Sequence, residues 1–139
     1  MKKQFKLLAL LMALVTMLTC MTMPIQAAVV QPDVEPNWEN TNNITITMSF
    51  PDDGYAEASI FGKPGVTKIV IDIYVYRQIG SSWALVGEKH STFYDNNGLT
   101  SCQFNSINRA YYKANYTFTV TKDGVDEIIS KTQYRTCVQ

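Results

Sequence analysis

From residue 43 to the end of the chain, apolar and polar residues alternate in short segments separated by turn residues. A period of two places successive side chains on opposite faces of a β-strand, and no segment keeps the 3.6-residue period of an amphipathic helix. The alternating segments are NITITMSF, YAEASIF, TKIVIDIYVYRQ, SWALVGEKHSTF, LTSCQFNSI, YYKANYTFTV and VDEIISKTQYRTCV. About seven strands in roughly 100 residues predict an all-β fold, a single antiparallel β-sandwich, with a small barrel as the alternative.

The residues between these segments predict how consecutive strands connect. The Pro-Gly pair at 64–65 is the one that a type II turn favours. Gly-Ser at 80–81 and Asp-Gly at 123–124 each predict a tight hairpin. If the loop at 80–81 has two residues, Gln78 lies opposite Trp83, and the register of the whole hairpin follows from that pair.

The first 27 residues have the three parts of a secretory signal peptide. A basic start, MKKQFK, precedes the apolar run LLALLMALVTMLTCM, and TMPIQA ends on a small residue at the cleavage position, Ala27. The apolar run is shorter than the ~20 residues of a membrane span, so we expect cleavage and a secreted, extracellular domain without membrane insertion; a retained anchor is the alternative. Residues 28–42 show no periodicity and predict a flexible leader arm before the sandwich domain at 43–139.

Cleavage after Ala27 changes both the charge and the cysteine count. The full chain has 12 basic and 12 acidic residues, and loss of the three signal-peptide lysines leaves 9 basic against 12 acidic. A weakly acidic domain without a basic run predicts no nucleic-acid partner. Loss of Cys20 leaves Cys102 and Cys137 in an oxidising compartment, which predicts a disulfide between them; two unrelated thiols are the alternative.

Residue patterns that would support catalysis or metal binding are absent from the sequence. His90 is the one histidine, and no nucleophile motif accompanies it. Several carboxylates fall in turns, where side chains are usually solvated. The sequence has no Cys-x-x-Cys pair, no phosphate-binding glycine loop and no dinucleotide fingerprint. We therefore expect no catalytic residue, no metal and no cofactor; a calcium ion that bridges two acidic loops is the alternative. We interpret His90 as a solvated or edge-strand side chain.

The penultimate segment carries a dense array of aromatic residues. Tyr112, Tyr116 and Phe118 share one face with small and apolar residues, so we predict that they belong to the core. Tyr111 lies on the opposite face and is expected to be exposed. Tyr112 also stands near the start of the penultimate strand, the position of the tyrosine corner in β-sandwiches.

A second group of aromatic residues is the candidate binding surface. With Gln78 opposite Trp83, the predicted register places Tyr76 opposite Leu85, Tyr74 opposite Gly87, and Asp72 opposite Lys89 as an ion pair. If the isoleucine face of this strand is core, the opposite face exposes the candidate ligand-binding residues Tyr74, Tyr76, Trp83 and Leu85. A three-residue loop would instead bury Trp83 and Leu85, and Trp83 could also cap the core edge.

Four segments of the sequence resemble a known protein family. PNWENT, SIFGKPGVTKI, GSSWALV and DEIISKTQYRT are similar to motifs of small secreted proteins of Gram-positive bacteria, and the resemblance spans residues 36–135. It implies an immunoglobulin-like or fibronectin-III-like sandwich. The family carries no known activity, so the resemblance assigns no site residue. Pro64 and the pair Cys102 and Cys137 depart from the family pattern.

Elimination of the other classes leaves a non-enzymatic binding or adhesion module. Its expected partners are a glycan of the cell wall or of a host surface, or a protein. A secreted toxin or bacteriocin-like effector is an alternative, as is a structural component of the cell envelope. The sequence alone selects neither a ligand nor an oligomeric state.

Overall fold

Seven β-strands connected by short turns make up residues 37–139, the part of the chain that the computed structural model describes. They are β1 (Thr41–Ser49), β2 (Gly54–Gly62), β3 (Val66–Ile79), β4 (Ser82–Phe93), β5 (Asn97–Phe104), β6 (Tyr111–Lys122) and β7 (Val125–Thr136). The predicted signal peptide and most of the predicted leader arm lie outside the described residues. Across residues 37–139, no helix has the length and apolar character that crossing a membrane requires.

The strands form two antiparallel sheets that pack face to face. One sheet has the order β1-β2-β5, and the other has the order β4-β3-β6-β7. Two separate sheets with these orders make an immunoglobulin-like β-sandwich, so the predicted fold class is confirmed and the barrel alternative is wrong. β4 pairs with β3 and thereby widens the second sheet to four strands, whose outer face is broad enough for a binding surface.

The core lies between the sheets and includes Tyr112, Tyr116 and Phe118, which were predicted to be buried. The largest fully buried residues are Tyr112, Tyr116, Phe118, Met48, Ile60, Ile69, Ile71, Ile73, Val75, Val120 and Cys137. Each apolar side chain of this size stabilises the fold by about 1.5–3 kcal/mol when it leaves water. Tyr112 and Tyr116 are therefore mainly architectural, as their pattern predicted.

Tyr112 forms the predicted tyrosine corner. Its side chain is fully buried, and its hydroxyl accepts a hydrogen bond from the backbone N–H of Ile107 at 2.9 Å. The end of the chain runs beside the same corner, because Cys137 and Ala110 are joined by a backbone hydrogen bond of 2.9 Å. These contacts fix the loop before β6 and the segment after β7 at one end of the sandwich.

The turns have the backbone conformations that their residues predicted. Gly65 has φ of 93°, as the third residue of a type II turn requires, and Gly80 has φ of 61° in a two-residue hairpin loop between paired residues 79 and 82. Asp123 and Gly124 both have positive φ, which is typical of a type I′ hairpin. The two-residue loop at 80–81 excludes the alternative register that would have buried Trp83.

Three of the four segments that carry the resemblance, PNWENT, SIFGKPGVTKI and DEIISKTQYRT, meet at one edge of the sandwich. The carboxylate of Glu127 accepts hydrogen bonds from the backbone N–H of Glu39 at 2.6 Å and of Asn40 at 3.0 Å, and from the Thr41 hydroxyl at 2.9 Å. The Lys63 ammonium donates to the carbonyl oxygen of Trp38 at 2.5 Å. The contacts with Glu127 explain why β1 begins at residue 41, two residues before the predicted start of the sandwich.

The predicted disulfide between Cys102 and Cys137 is not formed. Both residues are buried free thiols. Cys102 lies on β5, which packs across the sandwich against β3 and β4, whereas β7, which precedes Cys137, packs across it against β1. The two thiols therefore lie on opposite flanks of the sandwich, and the spacing of cysteines along the chain gave no information about this separation.

Candidate ligand-binding surface

The candidate site is the outer face of the four-stranded sheet. On this face, the strand register aligns one residue from each strand into a row, which we call the central row: Leu85, Tyr76, Lys113 and Tyr134. The neighbouring row towards the middle of the sheet is polar and consists of Glu88, Tyr74, Asn115 and Thr132. Inward alternation of the core residues on β3 and β6 forces these side chains outward.

Four aromatic rings from four different strands gather around one lysine at the end of this face. We call Tyr76, Trp83, Tyr111 and Tyr134 the aromatic cluster. The rings of Tyr111 and Tyr134 are stacked, with centroids 6.0 Å apart and an interplanar angle of 19°. The Trp83 ring lies 5.9 Å from the Tyr111 ring and 6.1 Å from the Tyr134 ring, both within the range of favourable aromatic pairs.

Lys113 lies at the centre of the aromatic cluster. Its Nζ atom is 4.9 Å from the centroid of Tyr76 and 4.8 Å from that of Trp83, which is cation–π geometry. Within residues 37–139, the ion pair found joins His90 and Asp72, so Lys113 has no carboxylate partner there. The surface therefore combines exposed ring area with one cation whose charge no neighbouring acid neutralises.

All four candidate residues predicted from the sequence lie on this outer face. Leu85 is 50% exposed and Tyr74 is 40% exposed, whereas Tyr76 and Trp83 are half-buried by their neighbours. Tyr111 is exposed, as predicted. Tyr74 stands one row away from the aromatic cluster, and the structure brings the other three together at the central row and its margin.

Sequence reasoning missed two members of the surface, Lys113 and Tyr134. The Asp-Gly hairpin at 123–124 pairs Lys122 with Val125, and counting back along that register places Lys113 opposite Tyr134. The signal for Tyr134 was therefore present in the sequence. The contact between β3 and β6, which places Lys113 beside Tyr76, depends on strand order and had no comparable local signal.

A β-bulge corrects the predicted register of the β3–β4 hairpin. The pair of Tyr76 with Leu85 is as predicted, but Val86 is an extra residue, so that Tyr74 lies opposite Glu88 and Asp72 lies opposite His90. The predicted pairs of Tyr74 with Gly87 and Asp72 with Lys89 are therefore wrong. In place of the expected lysine ion pair, the Nδ1 atom of His90 lies 2.5 Å from Oδ1 of Asp72.

The reason for the bulge lies in the packing beneath β4. The shift turns Gly87 inward, where an added Cβ would lie 3.0 Å from the sulfur of Cys102 and 3.1 Å from Cβ of Phe104. It also turns Phe93 towards the core and leaves Glu88 exposed to solvent. The same shift places Lys89 opposite the buried Ile73, where its side chain remains exposed because β4 is an edge strand.

An open concavity of about 300 Å³ lies beside the aromatic cluster, at the edge strand β4. It is lined by Tyr74, Glu88, Lys89 and His90. His90 is well exposed and contacts Asp72, as expected for an edge-strand histidine. In the described part of the chain, no three histidine, cysteine or acidic side chains gather closely enough to hold a metal ion.

The buried thiol beneath this region is unsuited to nucleophilic chemistry. Burial raises the pKa of Cys102; the charge of Lys89 lowers it and the charge of Glu88 raises it, both by less than burial does. A raised pKa keeps the sulfur protonated, and the thiolate is the reactive form. The side chains of the aromatic cluster and the polar row can take part in stacking, hydrogen bonding and charge pairing.

Comparisons with known proteins found similarity in structure but not in sequence family. No protein-family model matches the chain, and no curated protein matches it. Among solved structures, the chain is similar to murine CRIg, at 12% identity over 70% of this chain and 98% of that chain, with a TM-score of 0.38. The assignment of the fold therefore depends on the strand order and the paired sheets of the chain itself.

Proposed function

We propose that this chain is a secreted, non-enzymatic binding module that recognises its ligand through the outer face of the four-stranded sheet. The observation that carries the proposal is the aromatic cluster around Lys113. Exposed aromatic groups of this kind cost free energy in water and mark ligand or partner sites more often than other surface does. The resemblance to secreted Gram-positive proteins supports an extracellular role.

The two outer faces of the sandwich differ in composition, and the difference favours a binding site on the four-stranded sheet. The outer face of β1, β2 and β5 is mainly polar and presents side chains such as Thr45, Thr47, Glu57 and Ser101. Its large exposed apolar residues are Phe61 and Leu99, which are not part of an aromatic group. The aromatic cluster is therefore a local feature of one face and not a general property of this surface.

The geometry also provides a rigid platform. Each ring of the aromatic cluster comes from a different strand of one hydrogen-bonded sheet, so that little conformational entropy remains to be lost when a ligand binds. Tyrosine and tryptophan offer broad apolar faces together with polar edges, which suits both sugar rings and protein side chains. The polar row beside the cluster adds hydrogen-bonding groups. We place a surface glycan first among the ligands and a protein second.

The test is binding of purified residues 28–139 to whole bacterial cells, to isolated peptidoglycan and to a glycan array. The double substitution Trp83→Ala with Tyr76→Ala should abolish saturable binding while circular dichroism shows the same fold. The matched control is Phe61→Ala with Leu99→Ala, which removes exposed apolar area from the other outer face. Equal loss of binding in both double variants, or no binding to any of these surfaces, would contradict the proposal.

A further inference from the structure

We propose that the ligand of this surface is an acidic polysaccharide, and that a hexuronate carboxylate within the chain binds Lys113. This inference rests on the proposed function and adds the chemical class of the ligand. Its basis is the position of one unneutralised cation among four aromatic rings. Rings without a cation would select a neutral sugar, and a cation without rings would select any anion.

The charge of Lys113 is available to a ligand. The rings of Tyr76 and Trp83 attract the ammonium group through their π-faces, but a ring supplies no strong hydrogen-bond acceptor. An ammonium has three donors, and the described residues provide no carboxylate partner for it. A carboxylate from the ligand would supply both the acceptor and the countercharge.

The position of Lys113 within the central row favours a carboxylate in the interior of a glycan chain. Neighbouring strands lie about 4.8 Å apart, so the central row from Leu85 to Tyr134 extends over about 14 Å. Lys113 is the third of its four residues, with Tyr76 on one side and Tyr134 on the other. A short run of pyranose rings can lie along the row with an internal uronate over Lys113, whereas a terminal acid would leave part of the row uncovered.

The polar row sets the orientation of the ligand. Glu88 and Asn115 flank Tyr74 in this row, and the Thr132 hydroxyl donates to Oδ1 of Asn115 at 3.2 Å. Carboxylate and amide oxygens accept hydrogen bonds from sugar hydroxyls, whereas the charge of Glu88 repels a second carboxylate. The ligand carboxylate is therefore directed to Lys113 and the ligand hydroxyls to the polar row.

The overall charge of the domain does not by itself favour an acidic ligand. Residues 28–139 contain 9 basic and 12 acidic residues, so the domain as a whole weakly repels a polyanion. Affinity for an acidic glycan must then come from the local site and must depend on a single lysine. Binding that depends on a single lysine differs from the non-specific attraction of an anion to a basic surface.

The experiment compares two glycans by calorimetric titration of residues 28–139, which include the entire described core. The acidic probe is a hyaluronan octasaccharide, which alternates glucuronate with N-acetylglucosamine, and the neutral probe is a chitin oligosaccharide of the same length. Hyaluronan should bind about ten-fold more tightly at low salt, and the difference should shrink in about 1 M NaCl, where charges are screened over about 3 Å.

Three lysine variants test the role of Lys113. Lys113→Gln should weaken hyaluronan binding about ten-fold and chitin binding much less, because the hydrogen-bonded charge contact is made with hyaluronan alone. Lys113→Arg should retain the preference for hyaluronan. The matched control is Lys131→Gln, since Lys131 also lies over an aromatic ring, 5.1 Å from the centroid of Trp38, but at another part of the molecule.

Each remaining outcome overturns the inference. Equal binding of both glycans, lost together in Trp83→Ala with Tyr76→Ala, overturns the acidic-glycan inference and retains the binding module. Equal weakening by Lys113→Gln and Lys131→Gln shows a non-specific charge effect and also overturns it. If neither glycan binds, the inference is wrong, and the cell, peptidoglycan and array experiment then decides separately on the proposed function.

Discussion

At the scale of single residues, burial opposes the ionisation of two side chains in the core, Cys102 and Tyr116. Burial raises the pKa of Cys102 above its ordinary value of 9.0, and burial together with the nearby Cys102 raises that of Tyr116 above 10.0. The Tyr116 hydroxyl lies 3.3 Å from the carbonyl oxygen of Thr47 and 3.4 Å from Oε1 of Gln133, so it has acceptors only for its protonated form. Ionisation of either group therefore opposes folding.

This arrangement predicts a loss of stability in alkaline solution. The unfolded chain releases the thiol proton near pH 9 and the phenol proton near pH 10, whereas the folded chain retains both to higher pH. The folded state then binds more protons than the unfolded state, so the free energy of unfolding falls as the pH rises. Below about pH 9 this contribution is fully present. Urea unfolding measured from about pH 8 to pH 11 should show the decline.

Substitution of the phenol isolates its share of the alkaline effect. Tyr116→Phe should cost about 1 kcal/mol at neutral pH, through the lost hydrogen bonding, and should reduce the decline above pH 10. Tyr94→Phe is the matched control, because Tyr94 is 84% exposed and the same atom is removed from solvent-facing surface. An unchanged alkaline slope in Tyr116→Phe would assign the decline to other groups.

At the scale of the strand, one carboxylate on β7 holds the segment that enters β1. Glu127 accepts two backbone N–H groups and one hydroxyl from residues 39–41. Hydrogen bonds to a charged acceptor stabilise by about 1.5–3 kcal/mol, because the charge strengthens each contact. The sequence did not show that a carboxylate near the start of the last strand receives the entry segment.

Glu127→Gln should release this segment without unfolding the sandwich. The amide retains one acceptor oxygen but loses the negative charge and the second acceptor, so we expect the amide hydrogens of Glu39 and Asn40 to exchange at least ten-fold faster. The free energy of unfolding should fall by about 1–3 kcal/mol. Asp126→Asn is the control, because Asp126 accepts only an exposed hydrogen bond from Thr121. Equal exchange rates in both variants would contradict the proposed role of Glu127.

At the scale of the strand, the hairpin turns were predictable from the sequence and the β-bulge was not. Turn residues such as Gly80 and Gly124 have backbone conformations that few other residues adopt, so they fixed the hairpin registers locally. The bulge at Val86 was not predictable in the same way, since it depends on the space beneath Gly87, which Cys102 and Phe104 of another sheet limit. The candidate residues on β3 and β4 were predicted from one hairpin. The contact of Tyr76 with Lys113 on β6 was not, because it depends on the order of the strands in the sheet.

At the scale of the whole molecule, strand order decides which residues can meet. Cys102 and Cys137, the two cysteines that follow the predicted signal peptide, suggested a disulfide, yet the sandwich places β5 and β7 on opposite flanks. Their thiols instead occupy the core as small apolar groups, which is a common role of buried cysteine. The fold is therefore stabilised by the burial of side chains between the two sheets, without a disulfide bond between Cys102 and Cys137.

The free thiols lead to a prediction about the complete domain under oxidising and reducing conditions. A disulfide that closes a loop of this length would stabilise the fold by roughly 3–4 kcal/mol and would raise the melting temperature by many degrees. Because the thiols lie apart and buried, the melting temperature of residues 28–139 should be the same with and without a reductant. Unfolding in urea without a reductant should expose two thiols per chain that react with a thiol reagent, and the folded domain should react slowly with the same reagent.

A melting temperature that falls on reduction, with fewer than two reactive thiols in the unfolded chain, would require the flanks of the sandwich to rearrange. Such a rearrangement would displace β7 and, with it, Tyr134 of the aromatic cluster, so oxidised protein would then also lose ligand binding. An unchanged melting temperature and two reactive thiols in the unfolded chain would instead show that packing of the core, without a disulfide, holds together the four strands that carry the surface.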